Sequence, residues 1–295
     1  MQARELVDAI ASATSIDALH EACGGRPDVL DDRDRAAVGQ ALHRHLSRLA
    51  THPRYRRWLD VYFGYVPAGF RSPLQQPNFL YYPELPPLPW FEPASIESLA
   101  RLRDAIARVR DEIAGWCAGR AMRPYVGTEA AVDALWNGLA GQPDWSSIHL
   151  LGRNAEESAS PLDELPETRA FLQAAPLADF PPHAPECFVS RLAPGVVLPE
   201  HFGLSNIKLT VHLPVDIPPQ GCSITVGGQT RGWPDDDFLV FDDSFLHTAA
   251  NRSDRPRSVL IFDIAHPMLD DDEARCLAHA IRAMDVVRGM LATAE

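Results

Sequence analysis

The sequence is poor in cysteine, and the few cysteines that it has form no recognisable pattern. Five occur in 295 residues, at positions 23, 117, 187, 222 and 276. An odd number spread over the whole chain predicts neither a disulfide framework nor a zinc site of the C-x-x-C type. We therefore expect these residues to be small, buried side chains in a reducing compartment.

Basic residues are also scarce, because 27 lysines and arginines stand against 40 aspartates and glutamates, a net charge of −13. A surface that neutralises phosphates needs a basic excess, so the composition argues against binding to nucleic acid or to an anionic membrane. No run of about 18 apolar residues occurs. The opening MQARELVDAI carries charges where a signal peptide needs an apolar core. The sequence thus predicts a cytoplasmic protein without a membrane segment.

Proline, by contrast, is abundant: 26 of the 295 residues are proline, clustered in 66–93 and 176–219. This distribution favours a loop-rich β architecture over a helix bundle. Apolar periodicity predicts a helical N-terminal segment over 1–65, a Pro/aromatic-rich linker over 66–94 and a domain over 95–295. Within that domain we expect helices over 95–117, with Ser95 as the cap, and over 271–291.

Short apolar runs broken by proline and glycine fill the region from about 145 to 267, among them WSSIHLL, CFVSRLA and RSVLIFDIAH. Runs of this length and spacing are typical of a β-sandwich or barrel. In NIKLTVHL, apolar residues at 207, 209, 211 and 213 alternate strictly with polar ones, which predicts a strand with one packed face. The polar face would lie either in water or along a polar cavity, and the alternation alone leaves both open.

Two histidines and a glycine suggest a metal site. Residues 201 and 203 would point to the same side of a strand, where a histidine and a carboxylate, with a distant histidine, could bind iron. His247, 46 residues after His201, is that distant histidine, but position 203 is glycine. Arg257 follows ten residues later. A buried site for 2-oxoglutarate needs such a cation, because a guanidinium grips a carboxylate through two bonds.

The segments HFGLSN, LTVHLPV, CSITVGG and FDDSFLH, followed by Arg257 and DIAHP, resemble the aspartyl/asparaginyl β-hydroxylase family of Fe(II)/2-oxoglutarate dioxygenases. The weaker YPELPPLPWFEP at 82–93 is similar to the segment that leads into such domains. The resemblance implies a mainly β fold: a double-stranded β-helix (jelly roll, cupin-like) core with flanking helices. It also implies hydroxylation of an unactivated C–H of an aspartyl/asparaginyl-like or other amino-acid unit. The reaction would need Fe(II) as the metal cofactor and would consume 2-oxoglutarate and O2, with release of succinate and CO2.

The same resemblance implies a role for each polar residue of the pattern. Members of the family are similar to this chain in carrying H-x-G, which implies His201 and His247 as the iron ligands, with water completing the shell. It further implies Arg257 and Ser190 at the far carboxylate of 2-oxoglutarate. His212 would contact the carboxylate near the metal.

One departure concerns the acceptor. Where members that act on aspartyl residues carry two arginines on this strand, the chain has Lys208 and Thr210. We expect Lys208 and Thr210 to bind the substrate, with Lys208 contacting a carboxylate or carboxamide of a peptide or amino acid. Asp242 and Asp243 are adjacent, so at most one could reach the metal, and we interpret both as structural or supporting residues.

Two alternatives stay open. The enzyme could hydroxylate a free or carrier-bound amino acid rather than a peptide. A reading from another class is a catalytically idle jelly-roll module whose N-terminal helices bind a protein partner.

Overall fold

The computed structural model describes residues 3–23, 30–49, 52–152 and 160–292. Parts of the predicted N-terminal helical segment, residues 1–2, 24–29 and 50–51, lie outside the described residues. The helices are α1 (Ala3–Ser12), α2 (Ile16–Cys23), α3 (Asp32–Ser47), α4 (Pro53–Tyr62), α5 (Glu97–Ala100), α6 (Ile106–Cys117), α7 (Pro166–Ala174) and α8 (Asp271–Ala292). Within the described residues no helix is both long enough and apolar enough to span a membrane.

The strands form two antiparallel sheets. They are β1 (Trp90–Phe91), β2 (Arg123–Pro124), β3 (Trp145–Leu151), β4 (Cys187–Leu192), β5 (Lys208–Asp216), β6 (Cys222–Val226), β7 (Gln229–Arg231), β8 (Leu239–Phe241), β9 (His247–Asn251) and β10 (Arg257–Ala265). The larger sheet has the order β1-β8-β5-β10-β4-β3-β2, and the smaller has the order β7-β6-β9. The prediction of a mainly β, cupin-like jelly-roll core with flanking helices is confirmed.

The alternation in β5 places this strand at the centre of the fold. Leu209 and Val211 pack with α6 and α7 in one hydrophobic cluster on the outer face of the larger sheet. On the other face Lys208, Thr210 and His212 are only 6%, 6% and 5% exposed. The polar face of the strand therefore lines the interior between the two sheets, which decides between the two readings that the sequence leaves open.

The helix predicted over 95–117 is interrupted. The chain makes a 3-10 turn at Pro93–Ser95, then α5, a second 3-10 turn at Arg103–Ala105, and α6. Ser95 does not cap a helix, because its hydroxyl donates to the carbonyl of Glu92 at 2.7 Å and stabilises the first turn. The helix predicted over 271–291 is present as α8.

The N-terminal helices share one hydrophobic cluster with α8. Leu6 of α1, Leu42 of α3 and Trp58 of α4 are buried together with Ile281 of α8. Ile207, which directly precedes β5, belongs to the same cluster. The helical segment is therefore packed through α8 onto the β core, and its buried surface is continuous with the residues that enter β5.

Residues 74–82, part of the predicted linker, run across two loops of the core, and we call them the strap. The carbonyl of Leu74 accepts a hydrogen bond from the backbone N–H of Leu246 at 2.7 Å. Farther along, the N–H of Asn78 donates to Gly203 O at 2.9 Å, and its side-chain amide donates to Phe202 O at 2.7 Å. The strap thus binds the loop after His201 and the loop before His247 at once.

The end of the strap is attached to α8 through Glu273. This glutamate is 0% exposed and accepts hydrogen bonds from Tyr82 Oη at 2.6 Å and from Arg54 Nε at 2.7 Å. The backbone N–H of Glu273 also donates to Asp270 Oδ1 at 2.7 Å, and this capping bond lies at the start of α8. One buried carboxylate therefore joins α4, the strap and α8.

We expect Glu273→Gln to lower the free energy of unfolding by roughly 3 kcal/mol, because it breaks a buried charge pair. Asp272→Asn is the control, since its side chain is 65% exposed and pairs with Arg275 on the same helix. That control should change stability by less than about 0.5 kcal/mol. Urea unfolding curves of the three proteins measure the effect, and equal stabilities for the two variants would contradict it.

Candidate functional site

His201 and His247 face each other across the interior. Each donates its backbone N–H to the carbonyl of the other, at 3.0 and 2.8 Å, and their ring centroids are 4.1 Å apart. Nδ1 of His201 lies 2.9 Å from Pro199 O, and Nδ1 of His247 lies 2.8 Å from Phe245 O. Because a carbonyl only accepts, each Nδ1 carries the proton and each Nε2 keeps its lone pair. Two imidazole nitrogens are thus available to a metal ion.

Burial keeps both imidazoles neutral. It lowers the pKa of His201 to about 4, with repulsion from His247 adding to the shift. Burial also lowers the pKa of His247. A neutral imidazole is the form that binds a metal, so at neutral pH neither ring has to lose a proton first.

The absence of a side chain at Gly203 follows from the position of Asp243. A Cβ added at residue 203 would lie 2.5 Å from Oδ2 of Asp243, well inside van der Waals contact. The carboxylate of Asp243 therefore occupies the space in which a side chain at position 203 would stand. Its neighbour Asp242 is turned away and is held by Gln75 Nε2 of the strap at 2.9 Å.

Arg257, the first residue of β10, is a buried cation at the other end of the cavity. It is only 2% exposed, and its guanidinium carbon lies 4.7 Å from the centroid of the Trp233 ring. Neither Nε nor Nη1 has a hydrogen-bond partner among the described residues. Burial lowers its pKa to about 10, so it remains charged at neutral pH. Two buried N–H donors of a charged guanidinium without hydrogen-bond partners favour an anion as its ligand.

Ser190 and His212 line the same cavity as Arg257, and each can donate a hydrogen bond into it. The hydroxyl oxygen of Ser190 accepts from Trp145 Nε1 at 3.0 Å, which leaves its own proton free to donate. Nδ1 of His212 accepts from Trp233 Nε1 at 3.2 Å. The proton of this neutral ring is therefore on Nε2. Burial, followed by the charge of Arg257, lowers the pKa of His212 well below its usual value.

One cavity of about 390 Å³ connects these groups. The side chains predicted from the sequence all line it: Ser190, His201, Lys208, Thr210, His212, His247 and Arg257. The structure thus brings together every candidate site residue. What each one binds is a separate question.

Lys208 lies in the cavity as the centre of an ion-pair cluster. Its Nζ is 2.8 Å from Oδ1 of Asp263 and 3.1 Å from Oδ2 of Asp243. Although burial alone would lower the pKa of Lys208, the two carboxylates raise it, so the ammonium stays charged. The hydroxyl of Thr210 donates to the same Asp263 oxygen at 3.4 Å.

Several lining residues were missed by the sequence reasoning. Asp263, Glu186 and Tyr125 line the cavity, and so does Trp136, whose ring meets that of His201 edge-on at 4.9 Å. Asp263 could have been found, because it is six residues after Arg257 on the same strand and so shares its face. The others lie outside the predicted strands, where no periodicity marks their direction.

A second group of possible metal ligands, His52, Asp270 and Glu273, does not line this cavity and lies around the start of α8. Its central carboxylate, Glu273, already accepts from Arg54 and Tyr82. Those bonds account for its burial, so we interpret this group as structural.

The chain is similar to a known protein family and to several of its members. Residues 104–267 match the family model described as aspartyl/asparaginyl beta-hydroxylase. Aspartate beta-hydroxylase domain-containing protein 2 of Mus musculus is 41% identical over 92 residues, 30% of this chain and 26% of its own length. Aspartyl/asparaginyl beta-hydroxylase of Mus musculus is 36% identical over 88 residues, 30% of this chain and 12% of its own length.

These alignments reach about a quarter or less of the length of the curated relatives. Among solved structures, the cupin domain of an XRE family transcriptional regulator from Enterobacter cloacae is 15% identical, with a TM-score of 0.28 over 42% of this chain and 98% of its own. That similarity is too low to bear on function. The match to the family model, by contrast, covers more than half of the residues. The chain therefore belongs to the aspartyl/asparaginyl beta-hydroxylase family.

Proposed function

We propose that the protein is an Fe(II)/2-oxoglutarate-dependent oxygenase that hydroxylates a C–H of an aspartyl/asparaginyl-like or other amino-acid unit. The observation that carries the proposal is the buried guanidinium of Arg257, two of whose nitrogens have no hydrogen-bond partner among the described residues, in the same cavity as two neutral imidazoles. A cation of this kind needs a dianionic or monoanionic ligand, and the imidazoles suit a divalent transition metal. Membership of a hydroxylase family supports the combination.

In this proposal His201 and His247 hold iron through Nε2. Bound iron would supply the activation of O2, with one oxygen atom entering the acceptor and the other entering succinate as CO2 leaves. Arg257 and Ser190 donate to the far carboxylate of 2-oxoglutarate. His212 donates from Nε2 to the carboxylate near the metal. The chain itself thus binds and orients the cosubstrate with a serine hydroxyl, an imidazole N–H and a guanidinium.

The depth of the site supports catalysis over simple ligand storage. Ser190, His212 and Arg257 are 1%, 5% and 2% exposed, so bulk water is kept from the end of the cavity that would hold 2-oxoglutarate. Exclusion of water strengthens each polar contact and limits side reactions. The acceptor would enter from the side of Trp136, Phe202 and Leu204, which line the cavity near the histidines.

The idle-module alternative and the choice between peptide and free amino acid can be separated experimentally. A binding module would keep its fold without consuming 2-oxoglutarate, whereas an oxygenase forms succinate in an iron-dependent reaction. Packing of the N-terminal helices on α8 supplies those helices with a role that requires no protein partner. A free or carrier-bound amino acid remains the second candidate substrate.

We expect His247→Ala, and equally His201→Ala, to abolish iron-dependent succinate formation, because each removes one of two protein ligands. Metal content after loading with Fe(II) should fall together with succinate measured by mass spectrometry. His20→Ala is the control, since His20 is an exposed residue of α2. Turnover of 2-oxoglutarate by His247→Ala at the wild-type rate would contradict the assignment.

We expect Arg257→Lys to raise the dissociation constant for 2-oxoglutarate at least about tenfold while iron is still bound. An ammonium cannot reproduce the two parallel bonds of a guanidinium. Arg255→Lys is the matched control, because Arg255 is 59% exposed and pairs with Asp216. Calorimetric titration of the three proteins checks this, and equal affinities for Arg257→Lys and wild type would refute it.

We expect Gly203→Ala to destabilise the protein by about 1–3 kcal/mol, because the new methyl group collides with Asp243. The same change in an Asp243→Ala background should cost much less, since the colliding carboxylate is gone. This double-mutant cycle is measured by chemical unfolding. If the two costs are equal, Asp243 is not the reason for glycine at position 203.

A further inference from the structure

The acceptor end of the cavity is acidic. Besides Arg257, its charged side chains are Lys208, Glu186, Asp243 and Asp263. One positive and three negative charges leave this end with an excess of two negative charges. We call the three carboxylates the acidic wall. Under the proposed function, Fe(II), Arg257 and the 2-oxoglutarate dianion would together carry one positive charge, which would still leave the carboxylates of this end in excess by one.

Among the residues that the structure describes, Lys208 is the one cation lining this end, and it is already paired. Two of its three ammonium donors are directed at Asp263 and Asp243, at 2.8 and 3.1 Å. Its side chain is 7% exposed, and that of Asp263 is 6% exposed. Breaking a buried ion pair leaves an uncompensated charge on the partner. A substrate carboxylate would therefore meet two competing carboxylates in place of a free ammonium.

The acidic wall keeps acceptor capacity that Lys208 does not use. Oδ1 of Asp243 is buried and has no hydrogen-bond partner among the described residues. The phenol of Tyr125 is affected by two of the same carboxylates. Burial, followed by the charges of Glu186 and Asp263, raises the pKa of Tyr125, so the phenol stays neutral and can donate a hydrogen bond. A ligand that brings N–H donors and positive charge would satisfy this wall.

The apolar part of the cavity suits the stem of such a ligand. Tyr125 and Trp136 line it with aromatic rings, and Phe202 and Leu204 stand on the side of the histidines. Aromatic faces attract cations, and apolar walls cover the methylene stems of basic side chains. Charge and surface thus favour the same class of ligand.

We propose that the acceptor presents a cationic nitrogen, an ammonium or a guanidinium, to the acidic wall formed by Glu186, Asp243 and Asp263. The proposal rests on the proposed function and narrows its substrate class. The sequence predicts a contact between Lys208 and a substrate carboxylate. The proposal replaces it with a contact between the acidic wall and a substrate cation. The nitrogen has two sources: the side chain of a basic residue or the α-ammonium group of an amino acid.

Four probes separate these sources by calorimetric titration into protein loaded with Mn(II), with and without 2-oxoglutarate. Nα-acetyl-L-lysine amide carries only a side-chain cation, and L-norleucine amide carries only the α-ammonium. Nα-acetyl-L-norleucine amide is the neutral isostere of both, and Nα-acetyl-L-aspartate amide is the anionic probe. We expect at least one cationic probe to bind at least about tenfold more tightly than the neutral isostere, and the anionic probe to bind least.

Glu186→Gln tests the acidic wall directly, because it removes one charge from a half-buried side chain and keeps its shape. This variant should shrink the advantage of the cationic probe at least about threefold, while Glu97→Gln, on a side chain 80% exposed, should not change it. Asp263→Asn is the second variant and should improve binding of the anionic probe, since it releases Lys208 from one partner.

The proposal is overturned if neither cationic probe binds more tightly than the neutral isostere, whether or not any of the three binds. The proposal is also overturned if the anionic probe binds more tightly than both cationic probes. Failure of the proposed function gives a different result: 2-oxoglutarate itself then fails to bind wild-type protein. In that case the titrations without 2-oxoglutarate still show whether the cavity prefers the cationic probes.

Discussion

The antiparallel pairing of β5 with β10 is the interaction on which the site depends. The two strands pair from Lys208 opposite Ala265 to Asp216 opposite Ser258, with one irregularity near Val259. Both are buried on both faces, so their outward residues fix the helices and their inward residues fix the cavity. A slip of one residue would exchange these sets. The same register places Thr210 opposite Asp263 and His212 opposite Ile261.

Lys208 and Arg257, two buried cations of the cavity, differ in whether the chain supplies them with anionic partners. Lys208 is neutralised within the chain by Asp243 and Asp263, whereas Arg257 keeps two donors without partners among the described residues. Leaving a buried charge unpaired is costly for the folded state. A fold that accepts this cost at Arg257 and avoids it at Lys208 divides the cavity into an end that needs an anion and an end that does not. This division underlies both the assignment of the cosubstrate and the choice of acceptor.

Much of the core could be predicted from the sequence, because strands such as WSSIHLL and RSVLIFDIAH carry a clear pattern of apolar residues. The motif around His201 and His247 also led to the correct family. The ion pairs of Lys208 could not be predicted, since they depend on the register between β5 and β10 and on a loop conformation at Asp243. The path of the strap was hidden for a similar reason: proline-rich sequence has no period, so its contacts with Gly203 and Leu246 leave no signal.

The strap changes what counts as the smallest working unit of this protein. The family match begins at residue 104, yet residues 74–82 hold both histidine-bearing loops and are tied by Tyr82 to Glu273 of α8. A fragment cut to the matched region would keep both imidazoles and lose the backbone that spaces them. The match to the family model therefore includes both histidines, while a segment outside it holds the two loops that carry them. Grafting this site onto another jelly roll would require the strap and its anchor on α8 as well as the barrel.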